Sequence, residues 1–232
     1  MSFISVNIAL VCSAFDKVAI PLSFSLCPNS EGDPSETNVC YRLESLSQKK
    51  LRPGYGYVHC TLAQLCIRAT ELTEVKDAAR KVWNVHREAS EESKEKLELT
   101  GIHPGPVFGT TATGKEIRLP YISVTCSDAL MALHSDMLEK IRPFQVKLSS
   151  MKVGKSAFHN SFPAEDNASV EWMIDFYEKN SLENYNPHVT LGSTQDPIDM
   201  NLVYFQKMQL PLHACGLVVS HMGNYCSCFE LL

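Results

Sequence analysis

The sequence predicts an α+β protein assembled from two similar halves, and three observations lead there. The pattern H-x-T-L occurs twice, as His59-Cys60-Thr61-Leu62 and as His188-Val189-Thr190-Leu191. Each copy lies in a short apolar run of strand character, "YGYVHCTLAQLCI" and "NPHVTLG". Between these runs, stretches with helical spacing of apolar residues recur, so both halves mix strands with helices. With eight histidines in 232 residues, one such tetrapeptide is ordinary; two ask for an explanation.

Taken in order, residues 3–27 alternate apolar and polar side chains and predict two strands, broken near Asp16-Lys17. Residues 28–54 are rich in turn formers and predict an irregular connection. Residues 55–67, which hold the first motif, return to strand. From Leu72 to Leu99 the apolar positions Leu72, Val75, Ala79, Val82 and Trp83 predict a helix, and its second half, "REASEESKEKLE", reads as a charged, solvated face. A Gly/Pro/Thr-rich passage follows Gly101, and "KEIRLPYISVTC" then predicts a strand. Ser127 predicts an N-cap for a helix with the stripe Leu130, Leu133, Met137, Leu138 and Ile141. "FQVKLSSMKVG" predicts a strand, and residues 168–182 a third helix with Met173, Ile174 and Phe176 facing inward. After the second motif, "FQKMQLPLHACGLVVSHMG" and "YCSCFELL" predict closing strands.

Composition bounds the function. Hydrophobic content of 44% and charged content of 20% describe a globular chain, read as one domain over residues 1–232. A net charge of −5 excludes a long nucleic-acid groove but permits a small anionic ligand or an RNA end. No apolar stretch reaches the roughly 18 residues of a membrane span, and the opening "FISVNIALVCSAF" reads as a strand rather than a signal peptide. Nine cysteines without a C-x-x-C pair argue against structural zinc and for a reducing, cytoplasmic or nuclear compartment. The sequon Asn167-Ala168-Ser169 carries no meaning there.

On a strand, side chains alternate faces, so His59 and Thr61 point one way, as do His188 and Thr190. Tyr57 shares the face of His59, and Asn186 that of His188. Cys60, Leu62, Val189 and Leu191 are expected in the core. If the two strands come side by side, one cleft receives two imidazoles and two hydroxyls. Two histidines supply a general base and a general acid near neutral pH, and two hydroxyls donate to the non-bridging oxygens of a phosphate. That set suits in-line displacement at phosphorus.

The duplicated H-x-T-L resembles the 2H phosphoesterases, the superfamily of RNA cyclic phosphodiesterases and 2'-5' RNA ligase-like proteins. The resemblance implies a bilobal α+β fold: two antiparallel sheets line a central cleft, helices lie outside, and the duplicated lobes are related by a pseudo-two-fold. It implies His59 and His188 as the catalytic pair and Thr61 and Thr190 as the phosphate binders, with Tyr57 as a substrate contact. By analogy His188 is the base and His59 the acid in hydrolysis. The implied partner is a nucleotide or RNA 3'-end carrying a 2',3'-cyclic phosphate or a 2'-5' linkage, with no metal, other cofactor or membrane. The two motifs stand farther apart than in compact members, which places an enlarged insertion around residues 72–116. A non-catalytic nucleotide- or RNA-binding module that keeps the cleft is the rival expectation.

Other features have simpler readings. "GTTATGKE", residues 109–116, nearly spells a phosphate loop, but Glu116 replaces the magnesium-holding hydroxyl and Pro120 follows where a helix should begin. It reads as a turn between strands. His86, His103, His134, His159, His213 and His221 carry no assigned role. Lys49, Lys50, Arg52, Arg142, Lys147, Lys152 and Lys155 read as surface charges, and Tyr121 and Tyr185 as packing.

Overall fold

The computed structural model describes residues 2–27, 42–48, 51, 54–110, 114–147, 151–159, 168–195 and 197–232. The chain opens with strand β1 (Phe3–Val11) and helix α1 (Ser13–Leu26), then β2 (Arg42–Glu44), β3 (Tyr55–Tyr57) and β4 (Cys60–Arg68). Helix α2 (Leu72–Ser93) leads to β5 (Lys96–His103), β6 (Val107–Thr110), β7 (Glu116–Arg118) and β8 (Tyr121–Val124). Helices α3 (Asp128–Ile141), α4 (Met151–Ala157) and α5 (Ala168–Lys179) precede β9 (His188–Thr190). The chain closes with β10 (Met208–Pro211), β11 (Gly216–Met222) and β12 (Cys228–Leu231).

The protein is mixed α+β. Its main sheet has ten strands in the order β10-β5-β8-β9-β4-β1-β11-β12-β3-β2, and β6 and β7 form a separate ribbon. All pairings are antiparallel except β2 with β3. In place of the two sheets implied by the resemblance, the described strands are continuous, because the two motif strands hydrogen-bond to each other at Cys60 and Val189. The sheet cannot be flat. Four strand spacings separate β4 from β3, about 19 Å in a flat sheet, yet Tyr57 and Cys60 are joined by a tether of about 11 Å at most. The sheet therefore curls, and it curls at His59.

Strand β1 is the spine. Val6, Ile8 and Leu10 face one layer with Leu62, Leu65 and Ile67 of β4, all fully buried. Against that layer pack Val75, Ala79 and Trp83 of α2 and the predicted stripe of α3, all of which is buried. Ser127 caps α3 as expected, accepting from the Leu130 N–H at 3.3 Å. On the opposite face Ser5 Oγ donates to the Ala157 carbonyl of α4 at 3.0 Å. Met173 and Val170 of α5 pack there with Cys66 and Met222.

Four local expectations are corrected. Residues 13–26 form a helix, not a second strand. Phe15, Ala19 and Ser23 are its buried positions, a spacing of four that a polar/apolar alternation masks. The α2 helix ends at Ser93, where Lys94 takes a left-handed cap, so Leu97 and Leu99 are buried on strand β5. No strand is found at residues 144–147 or 151–154; Met151–Ala157 is a short helix. Ile174 is 41% exposed, because the inward face of α5 is Val170, Met173 and Phe176. The near-phosphate-loop has strands β6 and β7 on its two sides and no helix after Lys115, with residues 111–113 outside the described set.

Candidate functional site

Antiparallel pairing at Cys60 and Val189 sets His59 opposite Thr190 and Thr61 opposite His188. Cys60 and Val189 are fully buried behind the sheet, with Leu62 and Leu191. The four motif side chains therefore share the other face, where all of them line one cavity of about 430 Å³. The two segments, far apart in sequence, meet as neighbouring strands.

Each imidazole is fixed in the same way. His59 Nδ1–H donates to the Tyr57 carbonyl at 2.8 Å, and His188 Nδ1–H donates to the Asn186 carbonyl at 2.7 Å. A carbonyl can only accept, so Nε2 is left as the reactive nitrogen of both rings. Burial, with a smaller contribution from the nearby His188, drives the His59 pKa down to about 4. Burial also lowers the His188 pKa, although the edge of that ring stays open to the cavity. His59 is the more enclosed ring, 7% exposed against the half-buried His188, so His188 is the ring that holds a proton more readily.

Thr61 is oriented from below. Asn7, buried on β1, donates Nδ2–H to Thr61 Oγ1 at 3.3 Å. With one lone pair engaged, the hydroxyl hydrogen is free to point at a ligand. A bulge makes a further contribution: Ile8 pairs with Ala63 but Ala9 with Thr61, which leaves Leu62 as the extra residue on β4. The bulge turns Gln64 onto the face of Thr61, where it lines the cavity with Oε1 buried and without a partner.

The carbonyls that the bulge displaces are satisfied from the far side. Tyr185 Oη donates to the Thr61 carbonyl at 2.8 Å, and His134 Nδ1–H donates to the Leu62 carbonyl at 2.7 Å. His134 Nε2 accepts from the Leu182 N–H at 3.0 Å, and the His134 and Tyr185 rings stack at 3.7 Å. Leu182 itself is left-handed at φ 52. His134, which carries no assigned role in the sequence reading, holds strand β4 just beyond His59.

The cavity walls are aromatic and amide. Phe108, Tyr121, Trp172, Phe176 and Tyr225 supply ring surface, and Asn180, Asn184 and Asn186 join Gln64 as carboxamides. Tyr121 packs beside His188 with ring centroids 5.1 Å apart. Among the described lining residues there is no Lys, Arg, Asp or Glu. The loop at Asn224–Cys226 closes one side with Tyr225 and Cys226 both left-handed, at φ 54 and 55.

Tyr57 is not among the lining residues. Its ring is buried and its hydroxyl donates to the Gln48 carbonyl at 2.9 Å, because β3 lies across the curl from β4. Its contribution to the site is the carbonyl that holds His59. Arg142 and Lys147 border a different depression, and Lys49, Lys50 and Arg52 lie outside the described residues. No helix of the described residues is long and apolar enough to cross a membrane. No protein-family model and no curated protein matches the chain.

The His134 bridge makes a prediction. His134→Leu strips partners from one carbonyl and one N–H, each worth about 1–3 kcal/mol when buried and unsatisfied. The variant is expected to unfold at clearly lower denaturant concentration, with an unchanged slope, in a urea titration followed by circular dichroism. A midpoint equal to wild type would remove His134 as a support of the bulge.

Proposed function

We propose that the chain is a metal-independent phosphodiesterase of the 2H type, acting on a 2',3'-cyclic phosphate or a related ribose phosphodiester. One observation carries the reading: His59, Thr61, His188 and Thr190 face one cavity about the Cys60–Val189 pair, with both Nδ1 atoms held by the carbonyl two residues back. The local two-fold through that pair relates His59 to His188 and Thr61 to Thr190. Within this proposal it is also the axis relating two duplicated lobes across a central cleft.

The chemistry follows from the tautomers. Neutral His59 takes a proton at Nε2 from the attacking water as its oxygen bonds to phosphorus. Protonated His188 gives its Nε2 proton to the departing ribose oxygen. The hydroxyls of Thr61 and Thr190 donate to the non-bridging oxygens. Because His188 is the more open ring, His59 is the base and His188 the acid in this proposal, where the analogy takes the reverse.

The cavity also bears on the substrate. Aromatic walls and carboxamides suit one nucleobase, and two hydroxyls suit one phosphate. Further phosphates would be desolvated without a cation among the described lining residues. A single base beside a single phosphodiester is the favoured ligand, over polyphosphorylated oligoadenylates or pyrophosphate-bearing nucleotides.

Three outcomes are expected. His59→Ala and His188→Ala each lower turnover of a nucleoside 2',3'-cyclic phosphate by about 10²–10⁴. With a 4-nitrophenyl phosphodiester, whose leaving group needs no proton, His188→Ala recovers activity and His59→Ala does not. Recovery in His59→Ala alone would reverse the roles, and full activity in either variant on the cyclic phosphate would end the mechanism. Binding without turnover across cyclic and 2'-5' substrates would support the binding module instead.

The second outcome concerns pH. The reactive form of the free protein has His188 protonated and His59 neutral, so kcat/KM should be bell-shaped and centred on the acid side of neutrality. The acid limb follows His59 near about 4 and the alkaline limb lies below the usual 6.5. A rate that keeps rising above pH 8 would contradict this. Third, adding a 5'-triphosphate to the cyclic nucleotide should not lower KM, whereas Trp172→Ala should raise it. A large gain in affinity from the triphosphate would overturn the single-phosphate reading.

A further inference from the structure

Behind the sheet, away from the cavity, two cysteines stand in register. The β1–β11 ladder ends at Val11 paired with Gly216. The next residues outward, Cys12 (φ −157, ψ 139) and Cys215 (φ −76, ψ 157), both remain extended, so they face each other across the ladder. Directly opposed antiparallel residues have Cα atoms about 4.5–5.5 Å apart, inside the range of about 4.4–6.8 Å that a disulfide accepts. The Cys12 Sγ lies 3.9 Å from the carbonyl oxygen of Ala214, the residue before Cys215, which sets the two cysteines side by side. We propose that Cys12 and Cys215 are a peroxide-sensitive dithiol, with Cys12 as the attacking sulfur and Cys215 as the resolving one.

The surroundings divide the roles. Cys12 is partly exposed and caps the N-terminus of α1, its sulfur accepting from the Ala14 N–H at 3.4 Å. The neighbouring Cys215 and the Ala14 and Phe15 N–H groups lower its pKa to about 6, which favours attack from its thiolate. Cys215 is 5% exposed, and the neighbouring Cys12 together with burial raises its pKa. It stays a thiol until a partner is oxidised. Cys126 is the exposed comparison: burial and Asp128 raise its pKa, so it is the poorer nucleophile despite its access.

The steps balance. The Cys12 thiolate attacks one oxygen of hydrogen peroxide, the O–O bond breaks, and Cys12 becomes a sulfenic acid as hydroxide leaves and takes up a proton as water. The Cys215 sulfur then attacks the Cys12 sulfur. The S–S bond forms, the S–O bond breaks, and the departing hydroxide leaves as water with the Cys215 proton. Two electrons pass from the sulfurs to peroxide, which ends as two waters.

The full-length protein tests this directly. After stoichiometric peroxide, peptide mapping without reductant should show a Cys12–Cys215 linked peptide that dithiothreitol removes. Limited iodoacetamide at neutral pH should alkylate Cys12 before Cys126 in the reduced protein and spare Cys12 after oxidation. In Cys215→Ser, Cys12 should stop at the sulfenic acid and be trapped by dimedone. Oxidation that falls first on Cys126, or Cys12 carried to sulfinic acid in the wild-type chain with no linked peptide, overturns the proposal. Because the principal readout is on wild-type protein, a variant that fails to fold does not blunt it.

Discussion

The pairing of Cys60 with Val189 is the constraint on which the rest of the structure depends. Two dipeptide steps of the sheet are fixed by it: whichever face takes Cys60 and Val189, the other must take His59, Thr61, His188 and Thr190. The core decides the face. Cys60, Leu62, Val189 and Leu191 are all fully buried, against a layer built from α2, α3 and β1. A slip of one residue in either strand would drive one imidazole and one hydroxyl into that layer and expose its apolar atoms. Hydrophobic burial on one side of the sheet thereby holds polar geometry on the other.

A second layer of control comes from the β4 bulge. An inserted residue would normally leave ladder carbonyls without partners, and such groups are costly when buried. Here the Thr61 and Leu62 carbonyls are taken by Tyr185 and His134, from the segment just before β9 and from α3. The same Tyr185 that closes the bulge lines the cavity. The two motif strands are thus coupled twice, by a backbone pair and by a side-chain brace, and the bulge gains a polar position, Gln64, that regular alternation would have withheld.

Much of this was legible in the sequence, and the gaps have physical causes. The shared face of His59, Thr61, His188 and Thr190, the inward Cys60 and Val189, the α3 stripe and its Ser127 cap all follow from period and chemistry, and the structure has each of them. What alternation could not convey was the curl of the sheet, which carries Tyr57 away from the face that parity assigned it. Nor could it locate residues that reach the site through pairing: Asn7 and Gln64 meet across β1 and β4, and Trp172 arrives on α5. A weak signal existed. Asn7 and Gln64 are amides inside otherwise apolar strands, "FISVNIALV" and "CTLAQLCI", and a buried amide in such a run asks for a partner. Residues 13–26 hide their helix because the small residues at its interface, Ala19 and Ser23, do not advertise burial by size.

A cavity this free of charge raises a difficulty that the proposed chemistry has to meet. Burial holds both imidazoles neutral more firmly than in water, yet proton donation to a leaving oxygen needs one imidazolium. Among the described lining residues no carboxylate is present to favour it. The compensating charge is then the ligand's own. A phosphodiester monoanion about 4 Å from an imidazole favours the protonated ring by about 4 kcal/mol at an effective dielectric near 20, equivalent to about three pKa units. That is enough to offset a burial penalty of the size felt by His59, and more than enough for the more open His188. On this account the acid is completed by the substrate: binding draws in a proton, and a neutral ligand of the same shape would leave the pair unprotonated. The apolar walls then have a use beyond packing against a base. By keeping the local dielectric low and cations away, they let one phosphate charge hold a proton on the pair.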